Sequence, residues 1–310
     1  MFRMGHALDR ESDLSSFRFM HAADLHLGSP FAGLAVKDAQ VAEQFARATR
    51  DAFSSLVTEA IERAVAFVVI AGDVYDGEWR DNSIGLFFNR EVARLDRAGI
   101  PVVLFNRTTE RDAVSSVTTR NREGGRRIAE FLIAGGHRRF GYISGVESSS
   151  TNRDRFAGYR EALAEAGHDD IVIGVGNYDR AEAEAAAREM FSRPDRPDAL
   201  FVANDHMAVA VMDVARYEFG LSIPNDLSIV GYDDVGPARW ASYGITSMSQ
   251  PMKRMVEATV NILMGQISKG EIEAEHRILS GDLIVRTSAR LPKTGVVEID
   301  GRRIYKPGKS

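Results

Sequence analysis

The polar residues of this chain that could hold a ligand sit where apolar runs end. Asn204 and Asp205 directly follow residues 199–203 (ALFVA), and Asp233 follows residues 228–232 (SIVGY). Facing a cleft, a carboxylate and an amide accept from and donate to the adjacent hydroxyls of a sugar or similar polyol. Arg155, near the start of a helical segment, supplies a planar fork suited to a carboxylate, a phosphate or paired hydroxyls. Plainer uses exist for each. An Arg in a first helical turn is commonly solvated, a Tyr in GNYD (Tyr178) commonly covers a loop, and Asn-Asp before a helix commonly caps it. One of Asn204 and Asp205 is expected to be such a cap.

The elements that must position these residues alternate regularly. Residues 17–23 (FRFMHAA) read as a short strand running into a DLHLGSP loop. Over residues 40–64, Val41, Phe45, Phe53, Leu56, Val57 and Ile61 fall at helical spacing, so one face is buried. FVVIAG, residues 67–72, is the continuous β-branched run that a parallel strand covered on both faces requires. Helices over 84–97, 123–134, 153–166, 181–191 and 206–219 then alternate with strands at 100–105, 140–144, DIVIG, ALFVA and LSIVGYD. A helix over 251–269 and short strands at 277–279 and 283–286 complete the series. Leu86, Phe87 and Phe88 on the second helix are expected in the core. Such alternation predicts doubly wound parallel sheets with helices on both sides, where ligands collect beyond the carboxyl ends of strands. Residues 1–16 and 294–310 read as polar tails.

The chain has 310 residues, of which 44% are hydrophobic, enough for one large α/β domain or two lobes with real cores. Its formal net charge of -5 argues against a surface built mainly to neutralise phosphates, so any DNA contact must be local. There is no cysteine, which excludes disulfides, thiolate metal sites and cysteine nucleophiles. The opening residues have no apolar stretch of signal-peptide length and no later run suits a bilayer, so the expected location is cytoplasmic, with no membrane partner.

From Gly99 to about Pro292 the chain resembles the sensor domain of the lactose- and galactose-repressor family. The stretches carrying the resemblance are GIPVVLFNR, GGRRIAEFLIAGGHRRFGYISG, RDRFAGYREALAEAG, RPDALFVANDHMAVAVMDVARYEFGLSIPNDLSIVGYDD and ITSMSQPMKRMVEATVNILMGQI. The resemblance implies an α/β, two-lobed periplasmic-binding-protein-like fold, each lobe a doubly wound, mainly parallel sheet. The first lobe would comprise 17–144 plus 251–280, and the second 145–250 plus 281–293. The family's ligand contacts map onto Arg155, Tyr178, Asn204, Asp233 and Gln250, with Tyr178 in the place of a stacking aromatic. Asn121 joins them, in a stretch reading Thr119, Arg120, Asn121 where relatives commonly have Asp-Asn. A cation there in place of a carboxylate points to a more acidic ligand, such as a sugar acid. The family also implies pairing of two chains through the first lobe, and no cofactor.

Residues 17–98 carry a different resemblance. FRFMHAADLHLGSPF followed by FVVIAGDVYDGEW is similar to the opening of calcineurin-like metallophosphoesterases of the DNA-repair exonuclease type. There the D-x-H and G-D-x-x-D elements hold two metal ions at adjacent strand ends, which implies Asp24, His26 and Asp73 as ligands, with Asp76 in support. The later motifs, GNH[DE] and a second H-x-H, are missing. Three ligands cannot complete a two-metal site, so at best one Mn or Zn ion binds weakly and the elements are vestigial. The chain is therefore expected to be a chimera, its first βαβα unit standing in for that of the sensor family. Phe31 would then sit near the family's polar-Pro-Phe cleft loop.

The leading expectation is a small-molecule sensor and not an enzyme, with DNA binding only if a helix-turn-helix is supplied elsewhere. The alternative is a metal-dependent phosphoesterase or nuclease.

Overall fold

A computed structural model of the chain describes residues 17–27, 39–72, 74, 82–106, 114–147, 149–270 and 272–307. Two sheets carry the fold. The first has the order β1–β2–β3–β4–β10, formed by β1 (Met20–Ala23), β2 (Val68–Ala71), β3 (Val102–Phe105), β4 (Ser115–Thr119) and β10 (His276–Leu279). Every neighbouring pair in it is parallel. Parallel neighbours need crossovers, which α1 (Ala39–Glu62) and α2 (Asn82–Arg97) supply between β1, β2 and β3 on one face, while α7 (Met252–Lys269), which leads into β10, covers the other.

Successive residues of a strand point to opposite faces, and β3 shows why its run is wholly aliphatic. Val102 and Leu104 pack with Phe53, Val57, Phe88 and Leu95 beneath α1 and α2. Val103 packs on the other side with Val117, Met255, Ile262 and Leu263 of β4 and α7. On α2, Phe88 is buried, Phe87 partly buried and Leu86 exposed.

The second sheet has the order β12–β13–β11–β9–β8–β7–β5–β6. Its parallel half joins β6 (Ile171–Val175), β5 (Phe140–Ser144), β7 (Ala199–Val202), β8 (Ser228–Asp233) and β9 (Thr246–Ser249). Around it lie α3 (Asn121–Ala134), α4 (Ser150–Glu165), α5 (Arg180–Phe191) and α6 (Asp205–Asp213), the last continued by one π-helical stretch, Val214–Glu218. The other half, β11 (Leu283–Ile284), β13 (Arg302–Tyr305) and β12 (Val296–Ile299), is antiparallel.

Two expectations are corrected here. Residues 294–310 are not a polar tail throughout: residues 296–305 form a hairpin that extends the second sheet, with Ile304 and Tyr305 buried and Tyr305 packed edge-on against Phe131 at 5.2 Å. Asp300 and Gly301 both have positive φ, 50° and 69°, as a two-residue hairpin turn matched to strand twist requires. The limit of the first lobe at residue 144 is also wrong. β5 lies inside the second sheet and α3 packs along α4, so the chain passes from the first sheet at Thr119 to the second unit at Asn121. It returns between Ser249 and Met252, and crosses again between Leu279 and Leu283.

Candidate functional site

Arg155, in the second turn of α4, is the centre of a polar cluster at the carboxyl ends of β7 and β8. Its Nη1 donates to the Ala203 carbonyl at 2.6 Å, its Nε to Asn121 Oδ1 at 3.1 Å and its Nη2 to Asp233 Oδ1 at 3.1 Å. The guanidinium lies 3.6 Å from the centroid of the Tyr232 ring, a cation–π stack in a desolvated setting. Arg155 is buried, while the Asp233 side chain keeps 27% of its surface exposed. A buried cation is tolerated because each of its three nitrogens meets an acceptor and its face meets a ring. Burial alone would lower the Arg155 pKa, but Asp233 and the surrounding tyrosine hydroxyls hold it above the ordinary value.

Asn121 is the first residue of α3, and its Nδ2 donates back to the Thr119 carbonyl at 3.2 Å. Its Oδ1 is thereby turned towards Arg155. Gln250, just after β9, donates from Nε2 to Asp233 Oδ1 at 3.1 Å, and its Oε1 is buried with no partner among the described residues. Asn121 and Gln250 thus stand at two of the three places where the chain crosses between the sheets. The arrangement presents one carboxylate, an orphaned amide oxygen and an arginine fork around a common point.

Asn204 is the cap expected of its pair: Oδ1 accepts the Met207 N–H at 3.0 Å. Asp205 turns inward instead, wholly buried, where both its oxygens accept from the Ser247 hydroxyl, at 2.8 and 2.9 Å, and Oδ2 also from the Val235 N–H at 3.0 Å. Burial pushes the Asp205 carboxyl up to about 8 against those donors, and the neighbouring Asp233 and Asp234 push it the same way. Tyr178 has φ 59° and lies against Gly145, where a Cβ would come 2.1 Å from the ring; its hydroxyl is 3.5 Å from Thr151 Oγ1. Asn152 secures that loop, accepting at Oδ1 from the Tyr142 hydroxyl at 2.6 Å and the Gly145 N–H at 2.8 Å. Arg120, the cation in place of a cleft carboxylate, is half exposed and 3.7 Å from Glu123.

Of the residues singled out in the sequence, Asn121, Arg155, Asp233 and Gln250 come together, with Asn204 and Tyr178 at neighbouring strand ends. Phe31 and Asp73 lie outside the described residues. Asp24 follows β1 with φ 51°, and a Cβ on Gly72 beyond β2 would come 2.0 Å from its Oδ1, while His26 lies two residues on. Among the described residues no three His, Cys, Asp or Glu side chains cluster as a metal site would need. Tyr232 was not anticipated as the floor beneath Arg155. The signal was present in Gly124-Gly125, two helix-disfavouring residues in α3: a Cβ on Gly124 would come 2.5 Å from the Tyr232 hydroxyl.

The family model for the periplasmic binding protein-like domain matches residues 129–289. Among curated proteins, the chain is 35% identical over 198 residues to the HTH-type transcriptional regulator CelR of Thermobifida fusca, covering 63% of this chain and 58% of the relative. It is 27% identical over 206 residues to the probable HTH-type transcriptional repressor ExuR of Bacillus subtilis (strain 168), covering 65% and 61%. The chain therefore spans about three fifths of the length of these relatives. Among solved structures, a complex of the transcriptional regulator CelR with cellobiose superposes with a TM-score of 0.67 at 26% identity, covering 87% of this chain and 84% of that one. With more than half of its 310 residues inside the matched region, the chain belongs to the periplasmic binding protein-like domain family.

Proposed function

We propose that this chain is the ligand-sensing part of a lactose-repressor-type transcriptional regulator, closing its two α/β units on a small polar ligand such as a sugar or sugar acid. The observation that carries the reading is the Arg155–Asp233–Gln250 constellation, in which an acceptor, a donor fork and an unpartnered amide oxygen converge at strand ends beside two interdomain crossings. Similarity to regulators named CelR and ExuR supports the regulatory role, and the cellobiose complex supports a saccharide as the ligand class. Binding at a hinge makes closure the signal, because a ligand touching both units favours the closed state by its differential affinity. Asn121, Tyr178 and Asn204 complete the contacts, with Phe31 as the contribution of the first unit.

Such a protein acts in the cytoplasm, on DNA only through a helix-turn-helix supplied by another segment, and as a homodimer. It is a binder and not an enzyme. No helix among the described residues is long and apolar enough to cross a membrane. The reading of residues 17–98 as a phosphoesterase-like graft rests on their D-x-H and G-D-x-x-D motifs alone. Asp24, His26 and Asp73 are then relics without turnover.

The test is isothermal titration of the chain with cellobiose, glucose, ribose and glucuronate. Saturable heat with one of these is expected, and Arg155→Ala should abolish it while costing about 3 kcal/mol of stability, since it strands Asp233 and Asn121. Absence of heat from the whole panel with the wild-type chain would sink the proposal.

A further inference from the structure

A second site lies on the other side of the turn that follows β8. Asp233 and Asp234 both have left-handed backbone, φ 101° and 53°, so consecutive carboxylates leave the strand in different directions. Asp233 joins the Arg155 cluster. Asp234 is buried, its side chain only 4% exposed, at the base of a pocket of about 280 Å³ whose wall includes Arg239, Arg286, Arg302 and Arg303.

The carboxylate acts as a mount. Its Oδ2 accepts from Arg239 Nη2 at 2.9 Å and its Oδ1 from Arg286 Nη2 at 2.6 Å, while Arg286 Nη1 donates to the Ile245 carbonyl at 2.7 Å. Each guanidinium has five N–H donors in a fixed fork. Among the described residues, Nε and Nη1 of Arg239 and Nε of Arg286 have no acceptor, so both forks are held in place with donors to spare. Arg302 and Arg303 arrive from β13, fixed by the Val285 N–H bond to the Arg303 carbonyl at 2.8 Å. Neither pairs with a carboxylate among the described residues. Neighbours on a strand face opposite ways, so one of Arg302 and Arg303 turns into the pocket with Arg239 and Arg286; three cations around one anion leave two positive charges on a concave surface, in a chain whose net charge is -5.

Clustered like charges disfavour one another unless an anion bridges them, and rigid guanidinium forks suit the oxygens of a tetrahedral oxyanion. We propose that this pocket binds a small phosphate dianion, either free or as the monoester of a small molecule. At about 280 Å³ the pocket lies at the low end of small-molecule site sizes, which run from roughly 300 Å³ upward, and has room for a phosphoryl group with a small ester substituent. The site is separate from the Arg155 cluster and does not depend on what the cleft binds.

The experiment is titration of the full chain with inorganic phosphate and with glucose 6-phosphate, at constant ionic strength held by sodium chloride, read by calorimetry and by phosphorus NMR linewidth. The expected result is saturable binding of at least one of the two probes. It should weaken tenfold or more in Arg302→Ala/Arg303→Ala, exposed positions whose replacement leaves the melting temperature close to that of the wild type. Stronger binding of glucose 6-phosphate than of phosphate identifies an ester as the ligand, and the reverse identifies the free ion. Absence of saturation above the chloride control overturns the proposal, as does binding that survives the double replacement. Binding of a short DNA duplex with no response to either small probe overturns it too, since the patch would then serve a polyanion.

Discussion

Asp205 and Asp233 show how differently two carboxylates of one site can be used. Asp233 is partly exposed with Arg155 beside it, whereas Asp205 is shut in beneath Ser247 and Val235. An ordinary aspartate titrates near pH 3.9 in an unfolded chain. With the folded value raised to about 8, the native state binds a proton that the unfolded state has lost over the interval between those values. Stability is therefore fully present below about pH 4 and declines as pH rises towards 8, by at most about 1.4 kcal/mol per unit. Asp205→Asn cannot ionise, so its unfolding free energy should be flatter from pH 5 to 8 in urea titrations at each pH. Equal slopes for the two chains would show that Asp205 is charged in the native state. Asp205 was read in the sequence as a possible ligand contact or a cap, and is neither, because nothing local tells whether an Asp after a strand turns out to the ligand or in to the sheet.

At the scale of elements, α3 and α4 meet backbone to backbone. A Cβ on Gly125 would come 1.9 Å from the Arg155 carbonyl oxygen, and one on Gly158 would come 1.8 Å from that of Arg122. The exposed pairs Arg122–Glu161 and Arg126–Glu165 flank this contact but contribute little, as solvated ion pairs do. The glycines set the approach, and with it the distance from Asn121 to Arg155. Gly125→Ala should therefore destabilise the chain by about 2 kcal/mol through overpacking, even though alanine favours helix, and should weaken ligand binding. Gly265→Ala on α7, where a Cβ meets nothing within 4 Å, should stabilise by about 1 kcal/mol. Thermal melts of the two variants check the opposite signs.

The largely apolar strands β3, β5, β7 and β8 were legible as such, because burial on both faces leaves a run no helix would need. β4 was not. Its residues, SSVTT, are all buried, yet four carry hydroxyls that serve local bonds, such as Ser115 Oγ accepting from Gln266 Nε2 at 2.9 Å. The β12–β13 hairpin was legible in principle from Asp300-Gly301 between apolar pairs, and was passed over because Arg302, Arg303 and Lys306 colour the stretch polar.

For the whole molecule, the limit between the units was misplaced because no turn signal marks Arg120, where the chain leaves one sheet for the other within a single step. The same economy leaves α7 as the outer cover of the first sheet, and its outward side is apolar. Met252, Val256, Val260, Met264 and Ile267 recur every three or four residues and are each 42–50% exposed, and Ile278 on the edge strand β10 is 53% exposed. Contiguous apolar surface of this kind on a water-facing helix is a usual mark of an interface. It lies on the unit through which the proposed regulator would pair, and a twofold contact would set the stripe of one copy against that of another. A stable pair needs about 800 Å² from each partner. In sedimentation equilibrium the chain of 34.1 kDa should therefore run at twice its mass at micromolar concentration. Val256→Glu/Val260→Glu, which places like charges face to face across the axis, should run as a monomer with an unchanged circular dichroism spectrum. A wild-type chain that stays monomeric at about 100 μM, or a double variant that still pairs, would remove α7 from the interface and leave its apolar side without that explanation.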